Sequence, residues 1–419
     1  MPMPREGIRP MPLEGIRPMP LEGIRVIDWT IWQQGPVCGA MLGDLGADVI
    51  KIESRDGGDP GRALGSLGGS DVSARPNFYF EANNRNKRGI ALDLKRPEAR
   101  EIVYRLAERS DVFVQNFRKG VAERLGLGYD ALRARNERIV YANATGYGPE
   151  GPDSGEPSFD QLGLARSGIM LAAGEPDMPP LPIAGGIADQ MGAVMLAYGV
   201  LAALLARERH GMGQVVDASH LGSMSFLQGL SLSCKLMAGF AFPRTFRSRA
   251  PNPLWNHYRC QDGRWLALGM LQSDRYWKDL CAAIGRPELA DDPRFADLRV
   301  RLANAADCVA ALDATFASRT RAEWQDILHA GGDFIFTVVN ALDELPQDPQ
   351  MRANGYIVDF DHPSFGPTPM VGIPVRLSET PGRLRAPAPE HGQHTELILT
   401  EELGYSWDEV AALREKGAI

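Results

Sequence analysis

VIDWTIWQQGPVCGAMLGDLGADVIKIE, residues 26–53, decides the fold. VIDW (26–29) predicts a buried strand, the small-residue run GPVCGAMLGDLG (35–46) a helix, and DVIKIE (48–53) a second strand. Pro36 sits where a first helical turn tolerates proline. Gly39 and Gly43, four residues apart, share one face and allow the helix to approach a sheet closely. Outward from this β-α-β unit the pattern recurs. RGIALDLK (88–95), a helix over 97–109, DVFVQNF (111–117), a helix over 120–136 and IVYANAT (139–145) follow in order. Strands alternating with helices predict an α/β fold with a doubly wound parallel sheet and a ligand crevice at its carboxyl edge.

The residues at the strand ends are polar: Gln33, Gln34, Glu53, Lys95, Asn116 and Arg118. No GxGxxG follows the first strand, and DGGDPGR (56–62) does not stand between a strand and a helix, so a nicotinamide dinucleotide is not expected. Residues 83–95, NNRNKRGIALDLK, set Arg85, Lys87, Arg88 and Lys95 against one acid, Asp93. That is either a solvated basic loop or a pocket for a phosphorylated ligand.

With 419 residues, 44% of them hydrophobic, the chain can bury a sizeable core and hold two domains. A net charge of −8 argues against nucleic acid or an anionic membrane as partner. Five scattered cysteines without CxxC spacing, and seven histidines without a ligand cluster, predict no metal and a reducing, cytoplasmic setting. The longest apolar run, within 191–205, is read as too short to span a bilayer, and no secretory signal is seen. Residues 2–25 are three copies of one octapeptide, PMPREGIR and twice PMPLEGIR, with two prolines in each. They are expected to form a poorly tethered arm, 1–25, extending the chain ahead of Met19.

In IAGGIADQMGAVMLAYGVLAALLARE (183–208), Asp189 is a lone acid between small residues and the uncharged run Gln190–Leu205, which is about four or five helical turns long. Asp189 could simply cap a buried helix. It could also be a nucleophile, a carboxylate favoured by the positive helix end, with Gly185, Gly186 and Gly192 leaving room for another molecule.

Four segments are expected: the arm, a large domain over 26–224, a smaller α+β domain over 225–335, and a return of the chain to the large domain over 336–419. The smaller domain begins near SCKLMAGFAFPRTFRSRAPNPLWNHYRC (233–260), where Pro, Arg and aromatics mix, and continues through RWLALGM (264–270). Arg244, Arg247 and Arg249 with Trp32, Trp255, His257 and Tyr258 could shape an acid pocket or serve only as linker and core.

Six ordered segments together carry a resemblance: 26–53, NFYFEANNRNKRGIALDLK, DVFVQNFRKGVAERLGLGYDAL, SFDQLGLARSG, IADQMGAVMLAYGVLAALLARERHGMGQVVDASH, and DHPSFGPTPMVGIPVRLSETPGRLRAPAPEHGQHT. From about residue 20 to the end, the chain resembles the class III CoA-transferases, which share their fold with α-methylacyl-CoA racemase. The resemblance implies a Rossmann-like large domain, a small domain and two interlocked chains. It implies Asp189 as nucleophile and Gln33 as an active-site glutamine, with Leu92, Lys95, Asn116, Phe117 and Arg124 lining the CoA nucleotide. Ser54 replaces a cation that often touches CoA, and Arg55 is adjacent.

Acyl-CoA and a free carboxylic acid are then the substrates, with no tightly bound cofactor and no metal. Exchanging CoA between two acids is near balance, so covalent relay through an aspartyl anhydride and an aspartyl-CoA thioester suffices. The runner-up, a 2-methylacyl-CoA racemase, needs acid and base on opposite faces of the α-carbon. GEPSFDQL (155–162) offers Asp160 and no histidine, and His210 is distant. A subunit of a hetero-oligomeric transferase is the third reading. The glycine-only run that resembles an oxalate-handling loop is missing, so oxalate is not expected.

Overall fold

The computed structural model describes residues 17–67, 70–71 and 77–419. The first two octapeptides fall almost wholly outside them. The third is anchored, contrary to a loose arm through residue 25: Leu21 is buried, its amide donates to Leu45 O at 2.9 Å, and the copy ends inside the first strand.

Six parallel strands form the central sheet: β1 (Arg25–Trp29), β2 (Asp48–Ser54), β3 (Lys87–Leu92), β4 (Val112–Gln115), β5 (Val140–Thr145) and β6 (Val215–Ser219). Their spatial order is β3-β2-β1-β4-β5-β6, with Ile27 opposite Ile50 on one side and Phe113 on the other. This is the doubly wound arrangement expected. Its crevice falls between the ends of β1 and β4, where the chain winds away in opposite directions.

Helix α1 (Gln34–Asp44) follows β1 and α2 (Phe78–Asn84) precedes β3; α3 (Pro97–Ala107) follows β3. Gly39 is required where α1 crosses the sheet, since a Cβ there would lie 2.4 Å from Asp28 Oδ2. The helix expected over 120–136 is two short ones, α4 (Val121–Arg124) and α5 (Tyr129–Arg133). They are separated where Gly126 adopts φ +75°, a left-handed conformation that ends a helix.

Below α1 lies a closed set of charges. Lys87 Nζ sits 2.6 Å from Asp28 Oδ2 and donates to Pro36 O and Asn84 Oδ1, while Lys51 Nζ donates to Asp59 Oδ2 at 2.9 Å. Arg62 forks onto both oxygens of Glu53. Burial lowers the Lys87 ammonium to about 8, although Asp28 pulls it up. Arg85 pairs with Asp44, and Arg88 with Asp48 and Glu402. The basic run 83–95 is therefore largely structural, and of its cations only Lys95 stands exposed with no ion pair among the described residues.

Helix α6 (Asp160–Ser167) precedes α7 (Ile187–His210), and α8 (His220–Leu227) leaves β6 directly. At 24 residues, with a mean hydropathy of 1.6 in its most apolar window, α7 is long and apolar enough to cross a bilayer by length and composition alone. The shorter span expected came from stopping at the uncharged run. In the fold, Ala193, Leu196, Ala197 and Val200 of α7 join the core over β1, β4 and β5. Beyond it, α9 (Gly229–Ala238) leaves Leu230 and Leu236 more than three-quarters exposed.

The chain divides into two compact units: the described part of Met1–Met170 with Pro182–Leu236 and Arg352–Ile419, and Leu171–Leu181 with Met237–Met351. The smaller unit is α+β, with an antiparallel sheet of β7 (Trp255–Arg259), β8 (Trp265–Gly269) and β9 (Phe336–Val339). It takes in Leu171–Leu181, and its main segment starts and ends later than the expected 225 and 335; at the far end β9 pairs with β8 and Arg321 binds Glu344 beyond it. Its core gathers Tyr258, Leu266, Trp277, Phe316 and Trp324. The final segment rejoins the larger unit, where Leu399 and Val410 pack with Ile90 and Ile102. Ser406 and Glu409 form a capping box on the last helix.

Candidate active site

The carboxyl ends of β1 and β4 are tied by one side chain. Asn116 accepts from Ile31 N at 2.9 Å and donates to Ile31 O at 2.7 Å, so its amide clamps the two strand exits. Above them opens a crevice of about 440 Å³ lined by Trp32, Gln33, Tyr79, Phe117, Ser158, Phe159, Asp189 and His220, among others. Phe117 packs at a tilt on buried Trp29, ring centroids 4.3 Å apart, and Phe159 meets Trp32 edge-on at 6.2 Å, giving the crevice an apolar wall.

Asp189 does not cap α7. The residue before the helix is Gly186, left-handed at φ +70°, and Asp189 is the third residue of the first turn, with its side chain in the crevice. Another carboxylate takes the capping role: Asp160 Oδ1, from α6, accepts from Ala188 N at 2.6 Å and from Asp189 N at 3.2 Å. Amides at a helix start otherwise lack partners, so this contact fixes the turn that carries Asp189. Burial raises the Asp160 carboxyl above its ordinary range and Asp189 adds to that, against the two backbone hydrogen bonds and His220. The Tyr79 phenol is also pushed up, by burial and then by the charges of Asp189, Asp59 and Asp160.

The glycines divide their tasks. A Cβ on Gly186 would strike the Gln33 amide at 2.3 Å, and Gln33 Nε2 donates to Gly186 O at 3.3 Å. Gly192 faces Gln34 instead, which would lie 2.5 Å from a Cβ, so it serves helix packing rather than a ligand. Only Gly185 of the three has open space about it.

Sequence reasoning missed His220. Its Nε2 lies 2.9 Å from Asp189 Oδ1 and its Nδ1 3.2 Å from Ser158 Oγ. The available signal was its position directly after VVDAS, a strand whose carboxyl end faces the same edge as β1 and β4. Of the residues assigned by resemblance, Gln33, Asn116, Phe117 and Asp189 come together in the crevice. Leu92, Lys95 and Arg124 do not line it. Leu92 is a core residue beside Ile52, while Lys95 and Arg124 are exposed on the surface of the same unit. Arg118 and Lys119 do line it. Arg55 donates to Gly417 O at 2.7 Å. In the smaller unit, Arg247 is held by Asp313 and Tyr258 is buried, so neither is free to shape an acid pocket. Among the described residues no group of three or more His, Cys, Asp or Glu is placed to hold a metal.

A doubly wound sheet with an acid at a helix start beside its switch point defines an α/β protein whose ligand crevice lies at that edge. The sequence pattern of CoA-transferase family III matches residues 21–395, and the chain belongs to that family. It is 34% identical over 402 residues to the beta subunit of succinyl-CoA–L-malate CoA-transferase from Chloroflexus aurantiacus, covering 94% of this chain and 96% of that one. Acetyl-CoA:oxalate CoA-transferase of Acetobacter aceti is 36% identical over 356 residues, 84% of this chain and 88% of its own. A CAIB/BAIF family protein from Brucella suis superposes with a TM-score of 0.82 at 31% identity, covering 92% of this chain and all of that one. The chain is thus an enzyme of the class III CoA-transferase kind.

Proposed function

We propose that this protein moves CoA from an acyl-CoA to a free carboxylic acid through Asp189. The observation that carries the reading is the Asp189 carboxylate, standing in the crevice at the first turn of α7. Asp189 attacks the donor thioester carbonyl to give a mixed anhydride and CoA thiolate. The thiolate then attacks the aspartyl carbon, releasing the first acid and leaving an aspartyl-CoA thioester. The acceptor carboxylate displaces CoA to form a second anhydride, and the thiolate attacks its acyl carbon to release product. The Trp32–Phe159 wall helps exclude water, which would hydrolyse each anhydride. Arg118 and Lys119, on the crevice wall, suit the CoA phosphates of an otherwise acidic protein, with Lys95 and Arg124 further out.

The racemase reading gains a histidine that residues 155–162 lack. His220, however, shares a hydrogen bond with Asp189 instead of facing it across a substrate carbon. We also propose a homodimer of interlocked chains in a reducing cytoplasm. The exposed Leu230, Leu236 and Phe226 of α8 and α9 support a covered apolar face, and a homologous second chain is the alternative. Sedimentation at nanomolar concentration tests this, and a folded monomer would contradict it.

The deciding experiment mixes the protein with acetyl-CoA or succinyl-CoA, quenches, traps with hydroxylamine and maps the peptide. Modification of Asp189 only in the presence of acyl-CoA is expected. Rapid α-deuteration of a 2-methylacyl-CoA in heavy water, without CoA exchange, would overturn the assignment in favour of the racemase.

A further inference from the structure

His220 leaves β6 at its carboxyl end and is buried, with one ring nitrogen on Asp189 and the other on Ser158. A carboxylate only accepts hydrogen bonds, so the 2.9 Å contact requires a proton on Nε2. In the neutral ring this leaves Nδ1 bare for the Ser158 hydroxyl, which fixes the tautomer. Asp189 Oδ1 is thereby held. Among the described residues no hydrogen bond reaches Oδ2, which is left to react.

The geometry points to His220 as a catalytic oxyanion donor for the two steps that occur at the aspartyl carbon, an inference that rests on the covalent route through Asp189. In the first attack, Oδ2 bonds to the donor acyl carbon, and the charge that leaves the carboxylate is charge His220 was stabilising. His220 does not assist that step. In the second step the CoA sulfur bonds to Cγ of Asp189 and the carbonyl π pair moves onto Oδ1. Negative charge then develops on the atom His220 already touches. Collapse restores the carbonyl, breaks the Cγ–Oδ2 bond and expels the first acid as its carboxylate. The third step repeats the geometry: the acceptor carboxylate adds to Cγ, charge builds on Oδ1, and CoA thiolate leaves. No proton is transferred, and one negative charge enters and leaves at each step. A preorganised donor aimed at an oxygen that gains charge is the arrangement that lowers such barriers, worth about 10²–10³-fold in rate for a single donor.

The test follows both adducts of Asp189 by intact mass after rapid quenching, with succinyl-CoA as the probe donor. His220→Asn keeps an amide toward Ser158 but is too short to reach Asp189, whereas His220→Gln can place an amide N–H where Nε2 stands. The asparagine variant is expected to accumulate the succinyl adduct, with its conversion to the CoA adduct slowed roughly 10²–10³-fold. The glutamine variant should restore most of that rate. Both variants should form the first adduct at close to the wild-type rate. Wild-type conversion in His220→Asn would overturn the role of His220 alone; a wild-type protein that forms neither adduct would overturn the covalent route and this role with it. Should the asparagine variant fail to fold, ¹⁵N NMR of the wild-type CoA adduct decides. A protonated Nε2 with bare Nδ1 is expected, and loss of the Nε2 proton in that state would overturn the assignment.

Discussion

Two polar clusters sit within the larger unit, and they are built on opposite terms. Under α1, Asp28, Lys87, Lys51, Asp59, Glu53 and Arg62 are buried or nearly so, and each carboxylate meets a cation. In the crevice, Asp189 and Asp160 stand near each other with a histidine, a serine and two backbone amides but, among the described residues, no Lys or Arg ion pair. The first cluster is closed by its own partners and can only hold the sheet. The second leaves Asp189 facing the crevice, where the proposed route places the substrate.

Substitutions should separate the two clusters. Asp189→Ala is expected to lower transfer by about 10⁴-fold or more, as removal of a nucleophile does, with little change in urea midpoint. Transfer within tenfold of wild type would erase the distinction. Lys87→Met should do the reverse, costing roughly 3–5 kcal/mol in urea unfolding because buried Asp28 is left uncompensated. Adding Asp28→Leu to that variant should recover part of the loss. Arg118→Ala should raise KM for acyl-CoA about tenfold with kcat nearly unchanged, since the CoA phosphates do not alter in the transition state. Steady-state kinetics with CoA and dephospho-CoA thioesters would show whether Arg118 outweighs Lys95 and Arg124.

The smallest effect concerns pH. Desolvation works to raise the Glu53 carboxyl, but the Arg62 hydrogen bonds, with Lys51 and the Asp59 amide, outweigh it and hold Glu53 below its ordinary 4.5. The folded state therefore binds this proton less readily than the unfolded chain. Its contribution is complete above 4.5 and fades as pH falls through the lower folded value. Thermal melts between pH 3 and 6 should show a shallower acid decline in Glu53→Gln than in wild type.

The β1–α1–β2 unit was legible because its apolar runs and glycine spacing are local signals. Strand β6 was not, since VVDAS is five residues of mixed polarity and acquires its identity only by pairing with β5. The break at Gly126 inside the expected helix depends on a backbone angle that an otherwise helical pattern hides. At the site, Asp189 announced itself as a lone acid in an apolar run, whereas His220 stands 31 residues later and reaches Asp189 only because β6 ends at the crevice edge. Leu92 is a different case. Its place in an ordered motif was readable, but its side chain lies in the core.

Asp189 stands on a helix seated against the central sheet, with Gly192 on Gln34 and Gly199 on Val216. Ser154, Glu156 and Pro157 of the crevice lining come instead from the connection after β5, largely exposed over 147–157. Asp189, the proposed nucleophile, therefore belongs to the frame and part of the wall to a separate surface connection. Chemistry and taste can evolve apart. Exchanging 147–157 for another sequence of equal length should change which acids are accepted while adducts still form at Asp189, and mass spectrometry of a chimera with several acyl-CoA donors would check it.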